Sequence, residues 1–294
     1  MSTMPEGFSI PSTTPCPLCR GATSAREGWY HACSSCGFQF SNLRPGGGAS
    51  GPGLERLRRS NFNILLNHLA ALRPLTGLRL LDVGSAHGWF MQEAARRGLL
   101  AKGIEPLADA AAKAKANGLD VIPGFFPQDL PEDGLFDVIV FNDVFEHLPD
   151  PPSAITAVEK RLAPHGLAVI NLPCADGIFY RIAKALWRRG MARAMFERLW
   201  QKDFASPHLS YFTPRTLQAL VEGRTQLRRV ACFPLLTLTR QGLWSRIALT
   251  HRGPSAALMF ALLTAASFVL AWLPADIVCL IFEKPESGGV ESQP

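Results

Sequence analysis

Charged residues are scarce in this 294-residue sequence: they make up 18% of it, whereas hydrophobic residues make up 47%. A chain with this composition can bury a sizeable core, which excludes a disordered or fibrous protein. The sequence also lacks an internal repeat. Its length leaves room for one large domain, or for a medium domain with a small module.

A secretory signal is missing as well, because the N-terminus has neither a basic start nor an apolar segment. We therefore expect a cytoplasmic protein whose cysteines stay reduced. Four of the seven cysteines form two Cys-x-x-Cys pairs separated by 13 residues: Cys16, Cys19, Cys33 and Cys36. Two such pairs at this spacing predict a closed, structural Zn²⁺ site rather than four buried thiols or a redox pair.

Basic charge is not spread evenly over the chain. The formal net charge is +6, and residues 177–202 hold seven basic residues and one acidic residue, which leaves 23 of each sign elsewhere. This concentration argues against a protein that binds nucleic acid over its whole surface. The cysteine-rich segment itself contains only Arg20 and Arg26 as basic residues, so no nucleic-acid partner is expected.

A segment rich in glycine and proline, residues 44–53, divides the sequence. Before it, we expect a flexible N-terminus over residues 1–15 and a zinc ribbon over residues 16–43. After it, we expect a second domain over residues 54–285 and a disordered tail over residues 286–294.

The second domain alternates helical and strand patterns. The predicted helices are 54–73, 90–97, 108–117 and 153–162, and the predicted strands are 78–83, 101–104, 121–122, 136–141 and 166–172. This alternation predicts an α/β fold, a doubly wound, mostly parallel sheet with helices on both faces. Such sheets bind ligands beyond the carboxyl ends of their strands.

Residues 80–90, Leu-Leu-Asp-Val-Gly-Ser-Ala-His-Gly-Trp-Phe, have the pattern of a strand, a glycine turn and the start of a helix. A dinucleotide-binding loop would carry G-x-G-x-x-G, but Ala86 and Trp89 stand where two of its three glycines belong. The pattern is instead Asp-x-Gly-x-x-x-Gly, which starts at Asp82. Glycines in such a loop bring backbone N–H groups close to a ligand.

This loop and the elements around it, residues 78–173, resemble the class I S-adenosylmethionine-dependent methyltransferases. The resemblance implies that S-adenosylmethionine is the cofactor and that Asp82 and the glycine loop hold its methionine end. The loop residues concerned are Gly84, Ser85, Ala86 and Gly88. The family often has glycine at the position of Ala86. Glu105 matches the acid that binds both ribose hydroxyls, and one carboxylate can accept both hydrogen bonds.

The resemblance also implies that adenine lies at the loop after the third strand of the sheet, residues 123–129. Phe125 and Phe126 are expected to pack on the adenine ring, with core packing as an equal alternative. Phe125 stands where the family often has an acid.

Residues 136–151 resemble a subgroup that includes quinone-biosynthesis O-methyltransferases and bacterial small-molecule and glycan-linked methyltransferases. The resemblance implies that Asn142, as a cofactor-binding residue, and Asp143 lie beside the transferred methyl group. A helix cap or turn is the alternative role for both. The Asn/Asp-Pro-Pro-aromatic motif of enzymes that methylate base amino groups is absent, which argues against that substrate.

Methyl transfer from a sulfonium needs alignment, and it needs a base only where the acceptor loses a proton. Histidine titrates near neutral pH, so His208 and His147 are the candidate bases, and Asp143 completes the predicted catalytic set. A structural role is the alternative for His147. Residues 206–214 resemble the substrate-side lid of the subgroup, so we expect Tyr211 and Phe212 beside the acceptor.

Two segments indicate contact with a membrane. In residues 177–202, apolar residues recur at helical spacing between the basic ones, as in amphipathic helices that bind anionic membranes. Residues 253–275 contain no charged residue over 23 positions, which is long enough to span a bilayer. Because residues 276–283 resemble the last strand of the methyltransferase sheet, a single full crossing is excluded. We expect a membrane-embedded or surface-lying helix there, with a buried helix as the alternative.

The sequence therefore predicts an S-adenosylmethionine-dependent methyltransferase with a zinc ribbon. Its acceptor is expected to be a small-molecule, lipid-linked or glycan-linked compound, methylated at oxygen, near the cytoplasmic face of the membrane. Peripheral or monotopic membrane contact is expected. Three alternatives stay open: an RNA methyltransferase, an NAD-dependent oxidoreductase and a non-catalytic binding module.

Overall fold

The computed structural model describes residues 14–46, 55–132, 134–237 and 273–286. The strands within them are β1 (Thr23–Arg26), β2 (Tyr30–Cys33), β3 (Gln39–Ser41), β4 (Arg79–Val83), β5 (Leu100–Glu105), β6 (Asp120–Pro123), β7 (Phe136–Asn142), β8 (Leu162–Pro173), β9 (Ser210–Tyr211), β10 (Arg228–Pro234) and β11 (Ile277–Glu283). The helices are α1 (Glu55–Leu72), α2 (Trp89–Arg96), α3 (Ala108–Ala116), α4 (Pro151–Arg161), α5 (Ile178–Arg188), α6 (Arg193–Leu199) and α7 (Pro214–Arg224), and a 3-10 turn follows β7 (Phe145–His147).

Seven strands form the central sheet in the order β10-β11-β8-β7-β4-β5-β6. The strands from β8 to β6 run parallel, and β11 runs antiparallel to both of its neighbours. The strand order reverses between β4 and β7, the position at which α/β sheets bind ligands. The predicted doubly wound, mostly parallel α/β fold is confirmed.

The middle of the central sheet is buried on both faces because β4, β7, β8 and β11 carry mostly apolar side chains. Alternate residues point to opposite faces. Leu81, Ile139 and Phe141 belong to the core that also contains side chains of α4 and α7. Leu80 and Val138 belong to the core that also contains side chains of α1 and α2. Helices therefore cover both faces, as a parallel sheet requires.

Two helices begin at capping signals that are visible in the sequence. The side chain of Asp150 accepts a hydrogen bond from the N–H of Ser153, and Pro151 takes the first helical position of α4. Thr213 caps α7 and forms a reciprocal pair with Thr216. These polar contacts fix the starts of both helices.

The cysteine-rich segment forms a second, four-stranded antiparallel sheet in the order β1-β2-β3-β9. Its fourth strand, Ser210–Tyr211, comes from the distant loop that precedes α7. Side chains of Phe38 and Phe40 belong to the same hydrophobic core as those of the central sheet. The small sheet and the α/β fold thus share one interior.

Residues 177–202 form two helices rather than the single amphipathic helix that we predicted. The first, α5, ends where Gly190 takes a left-handed backbone (φ 79°) and the N–H of Met191 bonds back to the carbonyl of Leu186. The aromatic face is buried inside the protein: Trp187 and Phe196 stack at 4.4 Å. Their neighbours in this cluster include Trp29 and Tyr30 of the cysteine-rich segment.

Among the described residues, no helix is both long enough and apolar enough to cross a membrane. The predicted apolar segment 253–275 lies outside the described residues except for its last three positions.

Candidate functional site

The glycine loop after β4 has the backbone geometry that the sequence predicts. Gly84 and Gly88 both have φ of 72°, in the left-handed region. A Cβ at Gly84 would lie 2.6 Å from Cγ2 of Val144, so only glycine fits there without displacement. Ala86 also lies in the left-handed region, with φ of 46°, which explains why glycine suits its position.

Hydrogen bonds to the carboxylate of Glu105 connect this loop to the end of β5. Its Oε2 accepts the N–H of Ala86 at 2.8 Å, and its Oε1 accepts the N–H of Leu107 at 2.8 Å. The N–H of Gly84 also bonds to the carbonyl of Ile104 at 2.8 Å. Because each carboxylate oxygen can accept a second hydrogen bond, Glu105 retains capacity for two hydroxyl groups.

A chain of amide and carboxyl groups links β4, β7 and β8 at the switch point. Nδ2 of Asn142 donates to Oδ1 of Asp82 at 3.3 Å, and Oδ1 of Asn142 accepts from Nδ2 of Asn171 at 2.8 Å. Oδ1 of Asn171 accepts the backbone N–H of Asp143 at 2.9 Å. This holds Asp143 in the left-handed backbone region (φ 53°), and its Oδ2 faces Nε of Arg58 at 3.9 Å.

Burial controls the protonation of these carboxyl groups. Burial, and to a smaller extent the charge of Glu105, raises the pKa of Asp82 to about 7, although the hydrogen bond from Asn142 opposes the shift. Burial also raises the pKa of Asp143, which the charge of Arg58 opposes. Asp82 can therefore take either protonation state near neutral pH.

These residues fit S-adenosylmethionine. Ser85 is buried in the loop, and no group in the described part of the chain hydrogen bonds to its Oγ. Asp82, Gly84 and Glu105 lie at the carboxyl ends of the adjacent strands β4 and β5. The cofactor has a diol and an amino group, and the Glu105 carboxylate can accept hydrogen bonds from the diol while the Asp82 carboxylate accepts from the amino group. The turn at Gly84 adds backbone N–H groups as donors.

The two phenylalanines predicted for adenine have different surroundings. Phe126 is buried and lies edge-on to Phe141, with ring centroids 5.6 Å apart. Phe125 is 39% exposed, and its N–H donates to Oδ2 of Asp129 at 2.8 Å. Core packing thus accounts for Phe126, whereas Phe125 presents a ring to solvent beside the end of β6.

Next to Asp143 the structure brings together Glu146, His147 and His208. Their ligand atoms all lie within 4.8 Å of one another. Oε1 of Glu146 is 3.9 Å from Nε2 of each histidine, which is too long for a hydrogen bond, and the two imidazole rings meet edge-on at 4.8 Å. The three side chains thus form one cluster, with spacings that could also surround a metal ion.

The surroundings of this trio favour its uncharged forms. Burial, and then the charge of Asp143, raises the pKa of Glu146 well above its ordinary value. Burial, and then the neighbouring His147, holds the pKa of His208 well below its ordinary value. Burial also lowers the pKa of His147. Neutral imidazole is the form that accepts a proton.

The hydrogen bonds of His147 define its tautomer. Its Nδ1 lies 2.8 Å from the carbonyl oxygen of Pro207 and 3.1 Å from Oγ of Ser206. A carbonyl accepts only, so Nδ1 carries the proton in the neutral ring and Nε2 keeps its lone pair. That lone pair belongs to a side chain that is 19% exposed, compared with 7% for His208.

Tyr211 and Phe212, predicted to lie beside the acceptor, pack in the interior. Tyr211 stacks on Tyr180 at 4.2 Å and donates its hydroxyl to the carbonyl of Leu199. Phe212 is fully buried against Phe38, with ring centroids 4.9 Å apart. Their role in this structure is to hold the loop that carries His208.

Sequence reasoning missed three polar residues of this site. These residues are Glu146, Asn171 and Arg58. In the sequence, Glu146 is one residue of a longer motif, Asn171 is a polar residue within an apolar strand, and Arg58 is one of several arginines in α1. The signal for Asn171 was its position in a buried strand, since a buried amide needs a partner.

The four cysteines form a tight cluster. The Sγ atoms of Cys16 and Cys36 are 3.6 Å apart, those of Cys19 and Cys33 are 3.5 Å apart, and all four lie within 4.8 Å. Zinc–sulfur bonds of about 2.3 Å in a tetrahedron place sulfur atoms ~3.8 Å apart, so the cluster fits zinc. Backbone N–H groups of Gly21 and Cys36 point at Cys19 Sγ and Cys33 Sγ, each at 3.4 Å.

A cavity of about 580 Å³ lies elsewhere, at the amino ends of the strands. Its lining includes Arg79, Lys102 and Phe136 and none of the predicted cofactor residues. This cavity is therefore separate from the predicted cofactor residues, which lie at the carboxyl ends of the strands.

Comparison with known proteins agrees with the geometry. Residues 54–224, more than half of the chain, match the methyltransferase domain family. The chain is 35% identical over 187 residues to the ubiquinone biosynthesis O-methyltransferase of Paramagnetospirillum magneticum, an alignment that covers 58% of this chain and 71% of that enzyme. It is 34% identical over 104 residues to the enzyme of the same name from Rhizobium etli, which covers 33% of this chain and only 42% of the relative.

Among solved structures, the fold is similar to that of magnesium protoporphyrin IX methyltransferase from Synechocystis PCC 6803 with bound S-adenosylhomocysteine. The TM-score is 0.53 at 11% identity, and the superposition covers 81% of this chain and 90% of that one. At this identity the likeness concerns the fold alone. The family match and the Paramagnetospirillum alignment go further: the chain belongs to the methyltransferase domain family and is an S-adenosylmethionine-dependent methyltransferase.

Proposed function

We propose that this enzyme methylates a hydroxyl oxygen of a small-molecule acceptor. The observation that carries the proposal is the group of Glu146, His147 and His208 at the exit of β7, where Glu146 and His147 follow Asp143 in the chain. A hydroxyl must lose its proton as its oxygen is methylated, and this group offers neutral imidazoles at that point. The names of the curated relatives, quinone-biosynthesis O-methyltransferases, agree with an oxygen acceptor.

In this proposal, bound S-adenosylmethionine supplies the methyl group. Asp82 holds the amino end of the cofactor, Glu105 holds its ribose and Asn142 keeps Asp82 in place through the 3.3 Å hydrogen bond. Nε2 of His147 takes the acceptor proton, because its lone pair is free and its side chain reaches solvent. His208 and Glu146 are more deeply buried and lie beside His147, with Oε1 of Glu146 3.9 Å from Nε2 of each histidine.

Zinc in the four-cysteine cluster is also part of the proposal. The donor set is four sulfur atoms with no further ligand position, so the metal would be structural rather than catalytic.

Contact with an anionic membrane surface is a further part of the proposal. Although the aromatic face of α5 and α6 is buried, Ile182, Met191 and Met195 are 46%, 49% and 40% exposed. The same segment carries exposed basic residues: Arg181, Arg188, Arg189, Arg193, which pairs with Glu27 and Glu197, and Arg198. Exposed apolar side chains interspersed with arginine suit a bilayer surface that carries negative lipids, and hence a lipid-linked or amphipathic acceptor.

The first experiment measures thermal unfolding with S-adenosylhomocysteine and, separately, with NAD. A ligand at ~100 times its dissociation constant adds about 2.7 kcal/mol to the free energy of unfolding, which raises the midpoint by several degrees. We expect a shift with S-adenosylhomocysteine alone. Transfer of labelled methyl to phenols, catechols and amines then tests oxygen specificity, and labelling of amines alone would contradict it.

Liposome flotation tests the membrane contact. We expect the wild type to float with vesicles that contain anionic lipid and not with neutral vesicles. The variant with Ile182, Met191 and Met195 all changed to Ser should stay in the soluble fraction. A matched control changes three exposed leucines elsewhere, Leu72, Leu100 and Leu107, to Ser. Equal flotation of both variants would contradict the proposed surface.

A further inference from the structure

The cysteine-rich segment is joined to the loop that carries His208 by strand pairing. We use the name acceptor loop for residues 206–213. Gln39 pairs with Tyr211 and Phe40 with Ser210 in the antiparallel ladder between β3 and β9. The ladder continues past Phe40, because the N–H of Ser41 donates to the carbonyl of Leu209 at 2.9 Å.

Ser41 also contacts His208 directly. Its Oγ donates to the carbonyl oxygen of His208 at 2.7 Å. Both residues are buried, with 4% and 5% of their surface exposed. Water is therefore poorly placed to replace this hydrogen bond, and a buried carbonyl that loses such a donor destabilises the folded state.

The remaining backbone groups around His208 are bonded to other parts of the protein. The N–H of His208 donates to the carbonyl of Trp200 at 3.0 Å. The N–H of Leu209 donates to the carbonyl of Glu146 at 2.8 Å. His208 is thus held between the helix end at Trp200, the catalytic turn at Glu146 and the side chain of Ser41.

The chain around β3, the strand that ends at Ser41, is also bonded to the cysteine cluster. The N–H of Cys33 donates to the carbonyl of Phe38 at 2.8 Å, and Phe38 packs on Phe212 of the acceptor loop. A continuous set of hydrogen bonds and ring contacts therefore runs from the second cysteine pair, through β3, to the acceptor loop.

We propose that Ser41 is a positioning residue for catalysis: through its hydrogen bond to the His208 carbonyl, the cysteine-rich segment sets the place of the His208 ring relative to Glu146 and His147. The segment then has a function beyond its own stability, since it holds the loop that carries His208. This inference rests on the proposed role of His208 in methyl transfer.

The test compares three single substitutions. Ser41→Ala removes the hydroxyl, and Ser41→Thr keeps it on a residue that suits a strand. Ser24→Ala is the matched control, because Ser24 lies on β1 of the same segment and its Oγ donates to the carbonyl of Ala32 at 3.4 Å, away from the acceptor loop. For each, we would measure kcat, the KM of the acceptor, and the affinity for S-adenosylhomocysteine.

We expect Ser41→Ala to lower kcat about tenfold, as misplacement of a catalytic group does, with KM and cofactor affinity changed by less than about threefold. Ser41→Thr should restore most of the loss, and Ser24→Ala should behave as the wild type. An equal loss in Ser24→Ala, or an intact kcat in Ser41→Ala, would overturn the proposal.

Hydrogen exchange of the protein without acceptor gives a readout that does not depend on activity. In Ser41→Ala, amides of the acceptor loop should exchange about tenfold faster, while those of β4 and β5 keep the wild-type rate. Ser41→Thr should return the loop to the wild-type rate. Unchanged exchange in Ser41→Ala, or faster exchange with an intact kcat, overturns the positioning role.

The two readouts separate this inference from the proposed function. If the wild type transfers no methyl group to any hydroxyl acceptor, the proposed function fails, and the positioning role in catalysis fails with it even where exchange changes. If the wild type is active and only the Ser41 comparison fails, the proposed function stands and this inference alone is rejected.

Discussion

Asn142 donates its amide hydrogen to Asp82 across 3.3 Å, and this bond joins β7 to β4 at the point where the strand order of the sheet reverses. The acceptor is a carboxyl group whose pKa burial raises to about 7. A positively charged amino group placed beside it would favour the ionised form. We therefore expect the Asp82 carboxyl group, which accepts this hydrogen bond, to lose a proton when the cofactor binds.

Proton release on binding follows from this pKa. At pH 6.5 we expect S-adenosylhomocysteine to displace a proton from Asp82, because its ammonium group stabilises the carboxylate. Calorimetry in two buffers with different ionisation enthalpies measures the release. Asp82→Asn should bind at least about tenfold more weakly and release no proton from this position. The same release in the variant would assign the proton to another group.

The same carboxyl group makes stability depend on pH in the free protein. Its folded pKa lies above the ordinary value of 3.8, so between about pH 4 and 7 the folded state binds more protons than the unfolded state. The stabilisation is complete at the acidic end and is lost as pH rises through 7. We expect the difference in melting temperature between the wild type and Asp82→Asn to shift against the wild type from pH 5 to 8. A constant difference would contradict the raised pKa.

Two substitutions in the glycine loop should differ in their effect on stability. Gly84→Ala forces a side chain into a left-handed residue and against Val144, so we expect a loss of about 1–2 kcal/mol and weaker binding of S-adenosylhomocysteine. Ala86→Gly removes the strain of a left-handed alanine but makes the unfolded chain more flexible. Because the two effects oppose each other, the free energy of unfolding should stay within ~1 kcal/mol of the wild type. Chemical denaturation measures both. Equal losses would argue against the loop geometry.

Under the proposed mechanism, substitutions of His147 and His208 should affect turnover and leave cofactor affinity unchanged. We expect His208→Ala to cut kcat at least about tenfold and His147→Ala to cut it more, since Nε2 of His147 keeps its lone pair and the His147 side chain is the more exposed of the two. Affinity for S-adenosylhomocysteine should stay unchanged in both. An unchanged kcat in His208→Ala would remove that residue from the mechanism.

Metal analysis tests the cysteine cluster. We expect about one zinc ion per chain in the purified protein. Cys16→Ser should lose it and unfold several degrees lower, because a closed zinc site contributes directly to folding. Cys232→Ser is the control, since Cys232 is exposed on β10 and outside the cluster. Full zinc content in Cys16→Ser would contradict four-cysteine coordination.

Local patterns in the sequence were enough to predict the central sheet. The apolar run of β7, the glycines after β4 and the cap at Thr213 each act within a few residues, and their elements lie within four residues of the predicted positions. The clustering of Asp82, Gly84 and Glu105 also follows from topology, because they end or follow neighbouring parallel strands.

What the sequence did not predict depends on contacts between distant segments. The strand β9 is two residues long and pairs with β3 about 170 positions away in the chain, which no local period reveals. For the same reason, the segment that includes Trp187 was expected to contact a membrane, and Tyr211 was expected to contact the acceptor. In the structure, the cysteine-rich segment packs on Trp187 and α5 packs on Tyr211. Glu146 needed the fold to bring it beside His208.

The pairing of β3 with β9 has a consequence for how the protein is made. A ribosome releases the cysteine-rich segment first, but the strand that completes its sheet includes Tyr211 and is synthesised much later. Until then β3 is an open strand edge, which can pair with other chains. The cysteine-rich segment is therefore synthesised well before its sheet can be completed, and truncation before Tyr211 would leave that edge permanently unprotected.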